Sequence, residues 1–146
     1  MPTEQNTDEK IIVITGGNSG IGKATAKALA RAGATVIIAC RDAYKAHDAV
    51  AEIQADTGSS KVEFMPLDLA DFNSIRNFTQ LFLAKYSKLH VLINNAGVIF
   101  LRKNLTENGF EAQFGINHLG HFLLTNLLLD TLKKSAPSRI ITVSSA

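Results

Sequence analysis

The chain has 146 residues, enough for one domain that buries roughly two thirds of the surface its unfolded form would expose. Hydrophobic residues make up 46% and charged residues 19%, which excludes a disordered polymer; the net charge of +2 is scattered, without the basic block of a nucleic-acid binder. One cysteine, Cys40, excludes an internal disulfide and leans toward an intracellular compartment, and no apolar run approaches the roughly 18 residues of a membrane span.

Residues 1–10 read as a polar tail with no signal-peptide core, and Pro2 stands where myristoylation would need glycine. The chain is expected to be soluble. From residue 11 onward, short apolar runs alternate with helical patterns. The first strand, Ile11–Ile14, leads into Thr15-Gly16-Gly17-Asn18-Ser19-Gly20-Ile21-Gly22, and a helix is expected over Gly20–Ala32. The second strand spans Val36–Cys40 and its helix Ala43–Asp56; the third strand spans Val62–Leu67 and its helix Asp71–Lys85. In that third helix Ile75, Phe78 and Phe82 recur at helical spacing behind a cap at Asp71. Val91–Ile93 forms the fourth strand, about Thr106–Lys134 one long helix, and Ile140–Val143 the fifth strand. Cys40, among apolar neighbours, is read as a buried hydrophobe and not as a reactive thiol.

Nearly continuous Ile/Val strands are expected when helices cover both faces of a sheet. The alternation predicts an α/β doubly wound parallel sheet over residues 11–146, with strands in the order 3-2-1-4-5 and a ligand crevice beyond their carboxyl ends.

The glycine turn lies at that crevice. A phosphate can approach a helix N-terminus only where no Cβ blocks the backbone. Gly16 would permit the tight turn, Gly20 the close approach, and Gly22 close packing of the helix on the sheet. Asn18, Ser19 and Ile21 complete the candidate cofactor loop. A glycine-rich turn without a ligand is the plain alternative. Gly17 to Lys23 also matches the start of a nucleoside-triphosphate loop, but Ala24 stands where a magnesium-holding hydroxyl is needed. After the second strand, Arg41 suits the 2′-phosphate of NADP, while the neighbouring Asp42 leaves NAD open; a solvated surface arginine is the alternative.

Further segments carry a family resemblance: Asp68-Leu69 after the third strand, Asn94-Asn95-Ala96-Gly97 after the fourth, Asn117-His118-Leu119-Gly120-His121-Phe122 in the long helix, and Ser144-Ser145. With the glycine turn they closely resemble the classical short-chain dehydrogenase/reductases, and within them the retinol dehydrogenase-like members. Ala39-Cys40-Arg41 and Ser135-Ala136-Pro137-Ser138-Arg139-Ile140 point to the same group. The resemblance runs from about Lys10 to the last residue. It implies that Asp68 and Leu69 border the adenine, and that Asn94, Asn95, Ala96 and Gly97 line the cofactor. Asn117 would hold a water of a proton relay, and Ser145 would hydrogen-bond the substrate carbonyl. Plainer roles stay open: Asp68 as a turn cap, Asn94-Asn95 as a polar loop, and His118 and His121 as packing residues instead of metal ligands. His90 departs from the aspartate common in relatives before the fourth strand, which puts one local hydrogen bond in doubt.

The family's acid–base pair is a tyrosine with a lysine four residues later. Tyr44 and Tyr86 are followed at that spacing by Asp48 and His90. The resemblance also implies two further strands and a substrate loop. The expectation is therefore an N-terminal part of an NADP-dependent oxidoreductase acting on a small carbonyl or alcohol, inactive as given and prone to self-association through an open fifth strand. A non-catalytic dinucleotide-binding module is the second reading.

Overall fold

A computed structural model describes residues 7–145, so the polar tail lies outside the described residues as far as residue 6. Five strands build one parallel sheet: β1 (Ile11–Thr15), β2 (Thr35–Cys40), β3 (Val62–Pro66), β4 (Val91–Asn94) and β5 (Arg139–Thr142). Their order is β3-β2-β1-β4-β5. β1 is central, pairing Ile12 with Val36 on one side and with Val91 on the other. The change of winding direction therefore falls at the carboxyl end of β1, where the chain leaves for the glycine turn.

Each face of the sheet is covered by helices whose apolar residues recur at helical spacing. α1 (Gly20–Arg31) buries Gly22, Ala26 and Ala30, and α2 (Ala43–Thr57) buries Ala46, Ala49 and Ile53 against Ile12, Ile14, Val36 and Ile38. Small residues let α1 lie close to the sheet. On the other face, α3 (Phe72–Lys85) contributes Ile75, Phe78 and Phe82, which pack with Val13, Ile37, Leu92 and the Leu124-Leu128-Leu132 stripe of the last helix. Alternate residues of β1 and β2 thus enter opposite cores, as a strand's period of two requires. Asp71 caps α3 as expected, accepting from Asn73 N–H at 2.9 Å.

The long helix expected from Thr106 is different. Thr106 to Glu111 is a turn in which Thr106 N–H donates to Phe110 O at 2.8 Å and Gly109 takes φ +82°. Asn108-Gly109 favours such a left-handed turn over a helix interior. Glu111 then caps α4 (Ala112–Phe114), accepting from the N–H groups of Gln113 and Phe114 at 2.9 and 2.8 Å. A π-helical turn (Gly115–Gly120) joins α4 to α5 (His121–Lys134).

Candidate functional site

A cleft of about 540 Å³ opens at the carboxyl ends of β1, β2, β3 and β4. Gly16, Asn18 to Gly22, Arg41, Asp68, Leu69 and Asn95 to Gly97 line it. These come from four separate connections, which the sheet order brings together. Asn94, Asn117 and Ser145 are not among the lining residues.

The glycine turn has two kinds of constraint. Gly16 and Gly20 have φ of +66° and +52°, a region that side chains disfavour. Around Gly20 a Cβ would meet nothing within 4 Å, so the space above the start of α1 is open. Gly22 has no such room: a Cβ would collide with Gly16 O and Asn95 Nδ2. Its role is close packing against the turn and Asn95, more than against the sheet. Ser19 precedes α1 with extended backbone, and its side chain does not return to cap the helix. The first N–H groups of a helix have no intrahelical partner, so this end of α1 is suited to an anion.

Lys23, the lysine of the triphosphate-loop reading, pairs instead with Glu52 of α2. It is thereby drawn away from the turn. Arg41, after β2, is exposed and lines the cleft together with Lys45, and Asp42 caps α2 by accepting from Lys45 N–H at 3.0 Å. Lys45 went unnoticed in the sequence, although it stands one helical turn beyond Arg41. Cys40 is buried, and burial pushes its thiol up to about 11, which fits an inert side chain.

Asp68 lines the cleft and also caps a turn: its Oδ1 accepts from Ala70 N–H at 2.9 Å. Asn95 binds the end of β1, with Nδ2 donating to Thr15 O at 3.0 Å. Asn94 turns the other way. It is buried, and its Nδ2 donates to Thr125 Oγ1 of α5 at 3.0 Å, so it joins strand to helix and does not line the cleft. Asn117 commits both ends of its amide to one residue: Val98 N–H donates to Oδ1, and Nδ2 donates to Val98 O, both at 2.9 Å. The clamp fixes the loop beside Ala96 and Gly97. Ser144 and Ser145 follow Val143, whose N–H bonds Asn94 O at 3.0 Å, and both serines are exposed at the cleft end of the sheet.

Besides Lys45, two residues had no assigned part in the site. The Thr15 hydroxyl, fully buried, accepts from Asn95 N–H and Ala96 N–H, each at 2.9 Å, and meets His121 Nε2 at 2.8 Å. The signal available was a hydroxyl residue ending β1 and a histidine four places after Asn117. No group of three or more His, Cys, Asp or Glu side chains suited to a metal occurs among the described residues.

This geometry has clear relatives. The model of the short chain dehydrogenase family matches residues 10–146. The chain belongs to that family. Mouse retinol dehydrogenase 12 is 58% identical over 136 residues, covering 93% of this chain and 43% of that protein. Human polyprenol dehydrogenase is 53% identical over 142 residues, covering 94% and 43%. The chain thus spans less than half the length of these family members. Among solved structures, a metagenomic short-chain oxidoreductase in complex with NADP superposes with a TM-score of 0.86 at 28% identity, over 97% of this chain and 65% of that one. The residues lining the cleft fit a nicotinamide dinucleotide of the kind bound in that structure: an open space over a helix N-terminus, with the cationic side chains of Arg41 and Lys45 in the same cleft.

Proposed function

We propose that the chain is the dinucleotide-binding part of an NADP-dependent oxidoreductase that interconverts a carbonyl and an alcohol, in the manner of the retinol dehydrogenases it resembles. The observation that carries the NADP preference is the end of β2, where Arg41 and Lys45 share the cleft wall. In the complete reaction the bound dinucleotide supplies or accepts the hydride. This chain's own residues bind and orient it: the start of α1 faces the pyrophosphate, and Thr15, Asn95 and Asn117 hold the wall against which it lies. Asp68 and Leu69 border the adenine, and Ser145 meets the substrate carbonyl. The Asn117 amide is spent on Val98 and its main-chain carbonyl lies 3.2 Å from His121 Nδ1, so Asn117 serves to position the loop beside the cofactor.

Titration calorimetry with NADPH and NADH tests the preference. Losing a hydrogen bond to a charged group costs about 1.5–3 kcal/mol, so Arg41→Ala should weaken NADPH binding by about one to two decades and leave NADH binding nearly unchanged. Equal affinity for the two dinucleotides in the wild type would refute it.

The polypeptide by itself binds dinucleotide without turnover. Tyr86 donates to Glu63 near the amino end of β3, and burial followed by that carboxylate pushes its hydroxyl far above the ordinary phenol range. Tyr44 is exposed on the outer surface of α2 and does not line the cleft. Neither is placed to deliver a proton to the substrate's carbonyl oxygen, and lack of a general acid costs about two to four decades in rate. NADPH consumption should stay at background with retinal, a steroid ketone or a small aldehyde. Turnover matching that of a form extended through a Tyr-x-x-x-Lys segment would overturn this reading.

A further inference from the structure

Beneath the cleft wall, a chain of hydrogen bonds runs from the glycine turn to the loop after β4, and His121 is its middle link. The Thr15 hydroxyl already accepts two main-chain N–H groups, from Asn95 and Ala96. A hydroxyl has two lone pairs and one hydrogen. With both lone pairs taken, the hydrogen must go to its third neighbour, His121 Nε2, at 2.8 Å. Nε2 therefore carries a lone pair, and the single imidazole proton sits on Nδ1, 3.2 Å from Asn117 O. Burial lowers the pKa of His121, against a smaller opposing effect of that carbonyl, which agrees with a neutral ring.

We infer that His121 is a positioning residue for dinucleotide binding: as the neutral Nδ1–H tautomer it fixes the direction of the Thr15 hydroxyl, and so holds Asn95 and Ala96 against the cofactor. The assignment rests on the dinucleotide reading of the cleft. Without an acceptor at Nε2 the hydroxyl hydrogen has no partner among these groups, and the oxygen can turn away from one of the two N–H groups it holds. Asn117 is held at both ends of the same chain, by His121 through its carbonyl and by Val98 through its amide. The glycine turn, α5 and the Asn95–Val98 loop are in this way locked to one another through one imidazole.

Nitrogen NMR of the imidazole reads the tautomer directly. Nδ1 should be the protonated nitrogen and Nε2 the bare one at neutral pH; the reverse pattern overturns the inference whatever the variants do. His121→Leu keeps bulk in the core and removes the acceptor, and should weaken NADPH binding about tenfold, as the loss of one buried hydrogen bond implies. His121→Gln, whose Oε1 can accept from Thr15, should recover most of that loss. In a Thr15→Val background His121→Leu should have little further effect, because the link it serves is gone. Equal losses in both backgrounds, or unchanged affinity in His121→Leu, would overturn the inference. If the wild type bound neither NADPH nor NADH, the dinucleotide reading would fall and this role with it.

Discussion

A glycine that lacks room for a methyl group is constrained differently from one whose backbone is left-handed, and the turn after β1 separates the two cases. Gly20 has open space and φ +52°. Gly20→Val should leave the fold intact at a cost of about 1–3 kcal/mol in backbone strain, and should abolish NADPH binding by filling the space over α1. Gly22→Ala puts a methyl into Gly16 O and Asn95 Nδ2. It should lower thermal stability as well as binding, since the turn itself must shift. Calorimetric binding alongside thermal melts distinguishes the two: if Gly22→Ala melts like the wild type, the packing role is wrong. The glycine spacing was legible in the sequence because it reports backbone demands at single positions. The role of Thr15 was not, because it depends on what meets its hydroxyl from eighty residues away.

At the scale of elements, the strands and the first three helices were legible because their Ile/Val runs and apolar periodicity follow directly from burial. The segment after Gly97 was less so. There the apolar pattern suggested one helix, whereas Asn108-Gly109 and the capping side chain of Glu111 set a later start. The junction of β1 and β4 shows a substitution whose consequence the sequence left open. His90 departs from the aspartate that the family resemblance implies before the fourth strand, and its Nδ1 accepts from Ile11 N–H at 2.9 Å. The acceptor is an imidazole. The bond requires a neutral ring, and burial, then Lys10 and Lys88, lower its pKa below the usual 6.5. His121 is shifted the same way. For a histidine depressed in the folded state, the unfolded chain takes up protons first as pH falls. Stability is therefore steady above about pH 7, declines from about 6.5 toward the lowered folded values, and levels off below them. Thermal melts between about pH 7.5 and 5 should show the decline, and His90→Asp should lessen it, because a carboxylate keeps its acceptor down to about pH 4. A melting temperature independent of pH over this range would contradict the account.

For the whole molecule, the two edges of the sheet are unlike. β3 carries Glu63, paired with Lys85, and ends in Pro66, features that discourage pairing with another strand. β5 is exposed along its length and presents Ile140 and Ile141, with Val143 following, each more than two fifths exposed. Phe122 and Leu127 of α5 add further exposed apolar surface. The 146-residue polypeptide should therefore self-associate through β5, with sedimentation velocity showing dimers or larger species whose share rises with concentration. Ile140→Lys with Ile141→Glu should shift the population toward monomer. A monodisperse wild-type monomer at high concentration would count against an open β5 edge.

The central place of β1 also sets the order in which the cleft can come into being. Strands β1, β2 and β3 are joined by short crossovers, and each pairs with its neighbour in sequence. β4 must return across the whole of that half to pair Val91 with Ile12. Closing so long a loop is entropically slow, and its contacts reward the chain only once made. The half containing Gly16, Gly22, Arg41 and Asp68 can therefore assemble during folding as an early β-α-β-α-β unit. Asn95 and Ala96 would then arrive later, their N–H groups meeting the Thr15 hydroxyl in the last step. Dinucleotide present during refolding would have little to grip in the first stage and much in the second. Its stabilising effect would fall mainly on the last docking step, slowing the undocking of β4 more than it speeds the collapse of the first half.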